Sequence, residues 1–185
     1  MCAKAVALAA RPEGMPKTSD FQIVDIESND PADGEIQVKN ICMSVDPYMR
    51  GRMVDRKSYV PPFQIGEPLT GGAIGKVTKS AHPDFKEGDF VSSHWGWRDG
   101  FTARAEGIER LGEIVAPASE YLGAIGMPGM TAYAGLLEVG ALKDGETVFV
   151  SGAAGAVGSI VGQIAKLKSC RVIGSAGNDE KVELL

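Results

Sequence analysis

Hydrophobic and polar residues follow a strand-like spacing in the first two thirds of this chain. Ile36 and Val38 alternate with polar neighbours, as the residues of a half-buried strand do. Glycine-containing turn signals such as Asp33-Gly34 and Asp99-Gly100 separate the strand-like stretches. These features predict an irregular antiparallel β domain over residues 1–120. The predicted strands are Phe21–Ile26, Ile36–Val45, Ala73–Thr78 and Phe90–Ser93.

From Ser119 onward the spacing becomes helical and then alternates between strand and helix. A helical stretch opens at Ser119, is interrupted at Gly126–Gly129 and resumes over Met130–Leu137. Two β-branched runs, Thr147–Ser151 and Arg171–Ser175, flank a further helix. This order predicts the first βαβ unit of a second domain over residues 121–185. The helix places four apolar residues on one face that we expect to be buried: Val157, Ile160, Val161 and Ile164.

A glycine-rich turn joins the first of these strands to its helix. Gly152 precedes Ala153, which stands where the G-x-G-x-x-G dinucleotide pattern has its first glycine. Gly155 would let the backbone approach a pyrophosphate, and Gly158 would let the helix pack closely on the strand. An ordinary turn is the alternative, but the flanking elements favour a nucleotide site. The predicted phosphate donors are the N–H groups at the helix start, those of Ala156 and Val157.

The residues after the second strand favour NADP(H) over NAD(H). An NAD site usually places an acidic residue about 20 positions after the glycine turn, where it binds the ribose 2′-hydroxyl. This chain has Gly174 and Ser175 there, which leaves room for a phosphate. Lys181 follows and could pair with the phosphate charge, although a solvated helix lysine is the alternative.

Composition excludes several classes of function for these 185 residues. The net charge is −5 and no basic cluster occurs, which argues against nucleic acid as the main ligand. Residues 147–165 carry no formal charge, but their glycines and Gln163 favour two short buried elements over a membrane helix. Three scattered cysteines and two histidines support neither a disulfide framework nor a structural zinc cluster. We therefore predict a location in a reducing cytoplasm.

Three segments together resemble the zinc-independent branch of the medium-chain dehydrogenase/reductase superfamily. The nearest likeness is to bacterial curcumin reductases, prostaglandin and leukotriene reductases, and plant alkenal double-bond reductases. Ser58-Tyr59 followed by Pro61-Pro62 adds to the curcumin-reductase likeness. The segments are Ser44–Met53, Gly126–Tyr133 and Gly145–Gly158.

The resemblance implies an α/β architecture, with a GroES-like antiparallel β domain followed by the start of a Rossmann doubly wound domain. The chain stops at Leu185, within the first turns of the second helix. Since a doubly wound domain needs several more strands, we expect this to be the N-terminal part of a longer protein. The active site of such enzymes lies in the cleft between the two domains.

The resemblance also indicates the chemistry. Zinc-containing relatives have ligands where this chain has Ser44–Asp46 and Gly71-Gly72, so no metal is expected here. Without a metal, the implied reaction is hydride transfer from NADPH to the C=C bond of an α,β-unsaturated ketone or aldehyde. The protein would position both reactants, stabilise the enolate oxygen and let a proton reach the α-carbon.

The matching motifs also suggest residues for this site. Tyr48 is the candidate for a hydrogen bond to the enolate, although a packed core tyrosine is the alternative. Arg50 and Arg52 could orient a polar end of the substrate or instead pair with backbone groups. Further candidates for the substrate pocket are Tyr59 and Trp97, and for contact with the nicotinamide Met127 and Thr131.

Two other functions stay open from the sequence. One is a quinone reductase of the same superfamily, and the other is a non-catalytic NADPH-binding or sensor protein. The expected partner is a small molecule, with neither nucleic acid nor membrane, and a homodimer is one assembly the protein could form.

Overall fold

The structure is a computed structural model that describes residues 2–185, and the chain divides between Ser119 and Glu120 into two compact units. The first unit is built of antiparallel strands in two sheets. A two-stranded sheet pairs β1 with β2, and a five-stranded sheet has the order β6-β3-β4-β5-β7. The strands are β1 Cys2–Leu8, β2 Phe21–Glu27, β3 Glu35–Met43, β4 Ala73–Ser80, β5 Phe90–Ser93, β6 Gly100–Arg104 and β7 Glu109–Gly112.

Four of these strands were predicted from the sequence, and three were not. The unpredicted strands are β1, β6 and β7. The turn predicted at Asp99-Gly100 is wrong at Gly100, which begins β6 and pairs with Lys39. A Cβ at Gly100 would lie 2.9 Å from the Val38 carbonyl oxygen. This glycine therefore allows a close approach of two strands.

Two hydrophobic clusters form the core of the first unit. One joins residues of the five-stranded sheet, including Ile36, Val77 and Phe101. The other, which we call the second cluster, joins β1 to the segment between β3 and β4. Its buried members are Leu8, Met49, Met53, Phe63 and Leu69.

A short helix, α1 (Pro47–Arg52), begins four residues after β3. Pro47 occupies its first turn, where proline costs no hydrogen bond because that N–H would lack a partner anyway. The Ser44 hydroxyl donates to Asp46 Oδ2 at 2.7 Å and so orders the segment that precedes the helix.

The second unit contains the predicted strand–helix–strand order. β8 and β9 pair in parallel, with Thr147 opposite Arg171 at one end and Val150 opposite Gly174 at the other. This is the βαβ connection expected from the sequence. The regular elements, after a 3₁₀ turn at Ala118–Leu122, are α2 Met127–Tyr133, a π turn Ala134–Val139, β8 Thr147–Val150, α3 Ala156–Leu167, β9 Arg171–Gly174 and α4 Asp179–Val182.

Two helical predictions differ from the structure. Gly126–Gly129 was expected to interrupt a helix, but it begins one, with Gly126 as N-cap. Gly129 lies inside α2, and glycine is required there because a Cβ would overlap the Ala124 carbonyl oxygen. The predicted buried face of α3 is only half-buried, and Val157 is 37% exposed. Within this unit α3 packs on α2 and on a sheet of two strands, which cover part of its apolar surface.

Residues 147–165, which the sequence alone allowed as a membrane span, are divided between β8 and α3. Among residues 2–185, no helix is long and apolar enough to cross a bilayer.

Candidate functional site

A cavity of about 420 Å³ lies in the first unit, against α1 and the loop that follows it. Three arginines line it, together with three hydroxyl groups and several apolar side chains, and no acidic residue lines it. The lining residues are Pro47, Tyr48, Arg50, Gly51, Arg52, Val54, Arg56, Ser58, Tyr59, Val60 and Pro62.

Tyr48 lies on the second residue of α1 and is 37% exposed. Partial burial raises the pKa of its phenol, and the Asp46 carboxylate raises it further, against the opposing effect of the Arg52 guanidinium. The phenol is therefore neutral at physiological pH. A neutral phenol can donate a hydrogen bond to an oxygen that gains negative charge.

Arg50 is also on the cavity wall, but its guanidinium is bound to backbone. Nη2 donates to the Gly14 carbonyl oxygen at 2.6 Å and to the Pro12 carbonyl oxygen at 3.3 Å, and Nε donates to Gly14 at 3.1 Å. This arginine ties α1 to the segment after β1.

Arg52 ties the other side of the helix. Nε donates to the Pro61 carbonyl oxygen at 2.9 Å, and Nη1 donates to Thr70 Oγ1 at 3.0 Å. The guanidinium also lies 3.9 Å from the centre of the Phe63 ring. Arg50 and Arg52 therefore fix the helix that carries Tyr48.

The inner face of α1 is anchored by Met49, which is 2% exposed in the second cluster. A Cβ at Gly71 would overlap the Met49 Cε atom, so glycine at 71 makes room for this side chain. Trp97 packs against the same cluster and stacks on Phe21 at 6.4 Å between ring centres. Trp97, predicted to line the substrate pocket, does not line this cavity and instead packs on the cluster that holds Met49.

Tyr59 lines the cavity and is 87% exposed. Arg56 was not among the predicted site residues, but it lines the same cavity from the loop after α1. The signal that could have found it is its position in the basic, hydroxyl-containing run Arg56–Tyr59, directly after the family motif.

The segments where zinc-containing relatives have ligands hold no ligand cluster in this structure. Across residues 2–185, no three His, Cys, Asp or Glu side chains come together as a metal site would require. Ser44 and Asp46 bond each other, and Gly71 makes room for Met49.

The turn between β8 and α3 has glycine at three positions, and the structure shows a reason for glycine at each. Gly152 has a φ of +60°, which glycine adopts without strain. A Cβ at Gly158 would overlap the Gly152 carbonyl oxygen and lie 2.9 Å from Ala153 Cα. Gly155 is the N-cap of α3, so no side chain at that position covers the helix N-terminus. The residues present therefore fit a dinucleotide pyrophosphate.

Backbone hydrogen bonds show which N–H groups of the predicted cofactor residues already have an acceptor within the protein. The N–H of Ala153 donates to the Ser175 carbonyl oxygen at 2.9 Å, and that of Gly155 donates to the Gly152 carbonyl oxygen at 2.9 Å. These two groups shape the turn and are not available to a phosphate. Ala156 and Val157 begin α3, where N–H groups have no acceptor within the helix.

The end of β9 is small and neutral, as predicted. The N–H of Ser175 donates to the Val150 carbonyl oxygen at 3.0 Å, which holds the two strand ends together. Lys181 donates its backbone N–H to Asn178 Oδ1 at 2.9 Å, so Asn178 caps α4. In the described part of the chain the Lys181 ammonium has no ion-pair partner.

Met127 and Thr131 lie one turn apart on α2, and both are exposed. Met127 is 76% exposed. The Thr131 hydroxyl donates to the Met127 carbonyl oxygen at 2.7 Å and keeps its lone pairs free to accept a hydrogen bond.

Comparison with known proteins supplies independent findings. Residues 4–111 match the family described as the N-terminal domain of oxidoreductase. The NADPH-dependent curcumin reductase of Escherichia coli is 45% identical over 174 residues, which are 94% of this chain and 50% of that protein. The NADP(+)-dependent 2-alkenal reductase of Nicotiana tabacum is 47% identical over 189 residues, which cover 98% of this chain and 54% of that protein.

The crystal structure of Vibrio vulnificus CurA in complex with NADPH superposes with a TM-score of 0.89 at 44% identity. The match covers 98% of this chain and 54% of that one. The chain thus spans about half the length of the relatives it matches.

Proposed function

The chain belongs to the medium-chain dehydrogenase/reductase family of oxidoreductases, and from this membership we propose that the full-length protein is an NADPH-dependent reductase of the C=C bond in α,β-unsaturated ketones and aldehydes. The observation that carries the proposal is the 45% identity to NADPH-dependent curcumin reductase. That similarity runs over 94% of the chain, so it includes both the Tyr48 cavity and the βαβ unit.

The second unit, Glu120–Leu185, is the proposed cofactor side, and the first unit, which ends at Ser119, is the proposed substrate side. NADPH, when bound, supplies the hydride. The turn at Gly152–Gly158 and the first N–H groups of α3 would hold the pyrophosphate. Ser175 and Lys181 would hold the 2′-phosphate, and Met127 and Thr131 would lie toward the nicotinamide.

On the substrate side, Tyr48 would donate its phenolic hydrogen to the carbonyl oxygen of the enone. Its raised pKa keeps that hydrogen in place at neutral pH. Because the oxygen gains negative charge as hydride adds at the β-carbon, the hydrogen bond strengthens in the transition state. Tyr59 and the stem of Arg50 would form walls of the same pocket, and a proton would reach the α-carbon from solvent or another residue.

The proposal extends to partners and location. The substrate would be a small molecule, with neither nucleic acid nor membrane involved, and the protein would form a homodimer in the cytoplasm. The prediction of a cytoplasmic location rests on the scattered positions of Cys2, Cys42 and Cys170 in the sequence.

The test is a comparison of substrates with the full-length protein and NADPH. An alkenal, curcumin and a quinone are offered separately while NADPH absorbance is followed. Consumption with the alkenal and curcumin supports the proposal. Consumption with the quinone alone would favour a quinone reductase, and binding of NADPH without turnover of any substrate would favour a sensor.

A further inference from the structure

Arg52 lies one helical turn after Tyr48 on α1, and both side chains line the cavity. Residues four positions apart are neighbours on one face of a helix. Arg50, two positions from each of them, donates to the Gly14 carbonyl oxygen and so is directed to the segment after β1. Arg52 is therefore the arginine of α1 that lies beside the phenol.

The Arg52 guanidinium is held in one orientation by three contacts. Nε donates to the Pro61 carbonyl oxygen at 2.9 Å, and Nη1 donates to Thr70 Oγ1 at 3.0 Å. The centre of the Phe63 ring lies 3.9 Å from the guanidinium carbon. A guanidinium has five N–H groups in a fixed plane, so the two hydrogen bonds leave donors for a further acceptor.

The charged and polar groups around the Tyr48 phenol act on it in opposite directions. Partial burial, the Asp46 carboxylate and the Tyr59 phenol raise the pKa of Tyr48, and Arg52 lowers it through its charge and through a hydrogen bond. A guanidinium has no acceptor, so the phenol oxygen accepts from Arg52 and keeps its own hydrogen. The Asp46 carboxylate accepts from the Ser44 hydroxyl at 2.7 Å.

We propose that Arg52 is a positioning residue that turns the hydroxyl hydrogen of Tyr48 toward the carbonyl oxygen of the substrate. The inference rests on the proposed function and adds a second residue to the stabilisation of the enolate. Arg52 occupies a lone pair of the phenol oxygen, which leaves the hydrogen directed into the cavity. Its positive charge also strengthens the hydrogen bond that the phenol donates as the substrate oxygen gains negative charge.

The test compares Arg52→Lys with Arg52→Gln in steady-state reduction of an enone by the full-length protein and NADPH. Both variants lose the planar group that binds Pro61 and Thr70, so a purely structural role predicts similar losses. The lysine is still a cation that only donates, whereas the glutamine carbonyl can capture the phenolic hydrogen. We expect Arg52→Gln to lower kcat about tenfold, as for one hydrogen bond to a charged group, with KM within a few-fold. Arg52→Lys should keep most of the wild-type kcat.

The Tyr48→Phe background separates positioning from general damage to the site. Phenylalanine has no hydrogen to direct, so adding Arg52→Gln to this variant should lower kcat no further. Lys57→Gln removes an exposed cation that does not line the cavity, and it should leave kcat unchanged in both backgrounds. Similar losses in Arg52→Gln and Arg52→Lys, the same loss in both backgrounds, or an unchanged kcat in Arg52→Gln would overturn the inference while the reductase function stands.

If no enone is turned over, the reductase proposal fails, and titration of the phenol then decides the inference separately. NMR of the full-length protein, isotope-labelled at tyrosine Cζ, measures the pKa of Tyr48, and Tyr48→Phe identifies its signal. Arg52→Gln should raise this pKa and Asp46→Asn should lower it, because they remove opposite charges, while Lys57→Gln should not change it. These shifts would support the contact between Arg52 and the phenol, and no shift in Arg52→Gln would contradict it.

Discussion

Tyr48 lies on a six-residue helix whose neighbouring side chains are all committed to holding it in place. Arg50 bonds the segment after β1, Arg52 bonds the loop after α1, and Met49 lies in the second cluster. The phenol is the member of this group that faces the cavity with a donor suited to an oxyanion. Its role can therefore be tested without disturbing the anchors.

Tyr48→Phe keeps the ring and removes the donor. If the hydroxyl stabilises the developing enolate, the variant should lose about 2.7–4 kcal/mol of transition-state stabilisation, or roughly 10²–10³ in kcat. Steady-state reduction of an enone by the full-length protein measures this, with NADPH affinity determined separately. Tyr59→Phe, on the exposed side of the same cavity, is the control and should keep kcat within a few-fold.

An unchanged kcat in Tyr48→Phe, with KM alone raised, would assign Tyr48 to the shape of the pocket. The proton and the charge stabilisation would then have to come from elsewhere in the protein or from water.

A substitution at Lys181 tests the predicted preference for NADPH over NADH. Lys181→Ala should weaken NADPH binding by roughly 1.5 kcal/mol, the low end for a charge-assisted contact, because the side chain is exposed. NADH binding should not change, since NADH lacks the 2′-phosphate. Lys166→Ala, an exposed lysine in the last turn of α3, controls for the general loss of charge. Equal affinity of the unmutated protein for NADPH and NADH would refute the assignment.

At the scale of elements, α3 packs closely on the glycine turn because residue 158 is a glycine and has no side chain. Gly158→Ala should destabilise the second unit by about 1–3 kcal/mol, because its Cβ would overlap the Gly152 carbonyl oxygen. NADPH affinity should fall with it, since the turn and the first N–H groups of α3 would shift. Hydrogen exchange of the α3 amides and NADPH titration measure the two effects.

Gly162→Ala is the matched control on the same helix. A Cβ at Gly162 would meet Val172 Cγ1 at 3.8 Å, an ordinary contact. Alanine also favours helix over glycine, so this variant should gain about 0.5–1 kcal/mol. A similar loss of stability in both variants would show that close packing at Gly158 is not the cause.

The elements also show how far the sequence could predict this fold. β3, β4 and β5 were found because buried and exposed positions differ visibly in their residues. β6 and β7 were missed because burial does not alternate along them: β6 is buried at three of its five positions in no regular order, and β7 is exposed at three of four. Their partners on β3 and β5, rather than local propensity, make them strands. Gly100 is an example, since both a close approach of two strands and a turn select glycine, and the sequence does not distinguish them.

In the candidate site, too, features with local causes could be predicted from the sequence, and features that depend on distant partners could not. The glycine turn was predictable because its conformational demands are local and select glycine directly. Pairing of Arg50 and Arg52 with backbone groups was one of the two alternatives that the sequence left open, but their partners could not be named, because Gly14 and Thr70 lie 36 and 18 residues away in the chain.

At the scale of the whole molecule, Asp89 makes the stability of the first unit pH-dependent. Desolvation acts to raise the pKa of this buried carboxyl, but the Lys86 N–H and the Arg110 guanidinium outweigh it, so its pKa lies below the usual value. A lowered pKa stabilises the fold above the ordinary Asp pKa, and that contribution is lost as pH falls through the folded value.

Asp89→Ala should therefore cost about 1–3 kcal/mol at neutral pH, because it leaves the Lys86 N–H and Arg110 without their acceptor. The difference from wild type should shrink under acid conditions. Hydrogen exchange of the β5 and β7 amides, followed against pH, measures it. Asp25→Ala, which breaks the exposed pair with Lys4, should change little at any pH, and a pH-independent effect of Asp89→Ala would contradict the assignment.

Isotope tracing tests the proposal that the full-length protein delivers hydride to the β-carbon of an activated C=C bond. NADPH carrying deuterium at the transferred C4 position is incubated with the protein and an enone, and the product is examined by NMR. We expect a saturated ketone with one deuterium at the β-carbon and a solvent-derived hydrogen at the α-carbon. Deuterium on the carbinol carbon of an allylic alcohol, or no deuterium in any product, would contradict it.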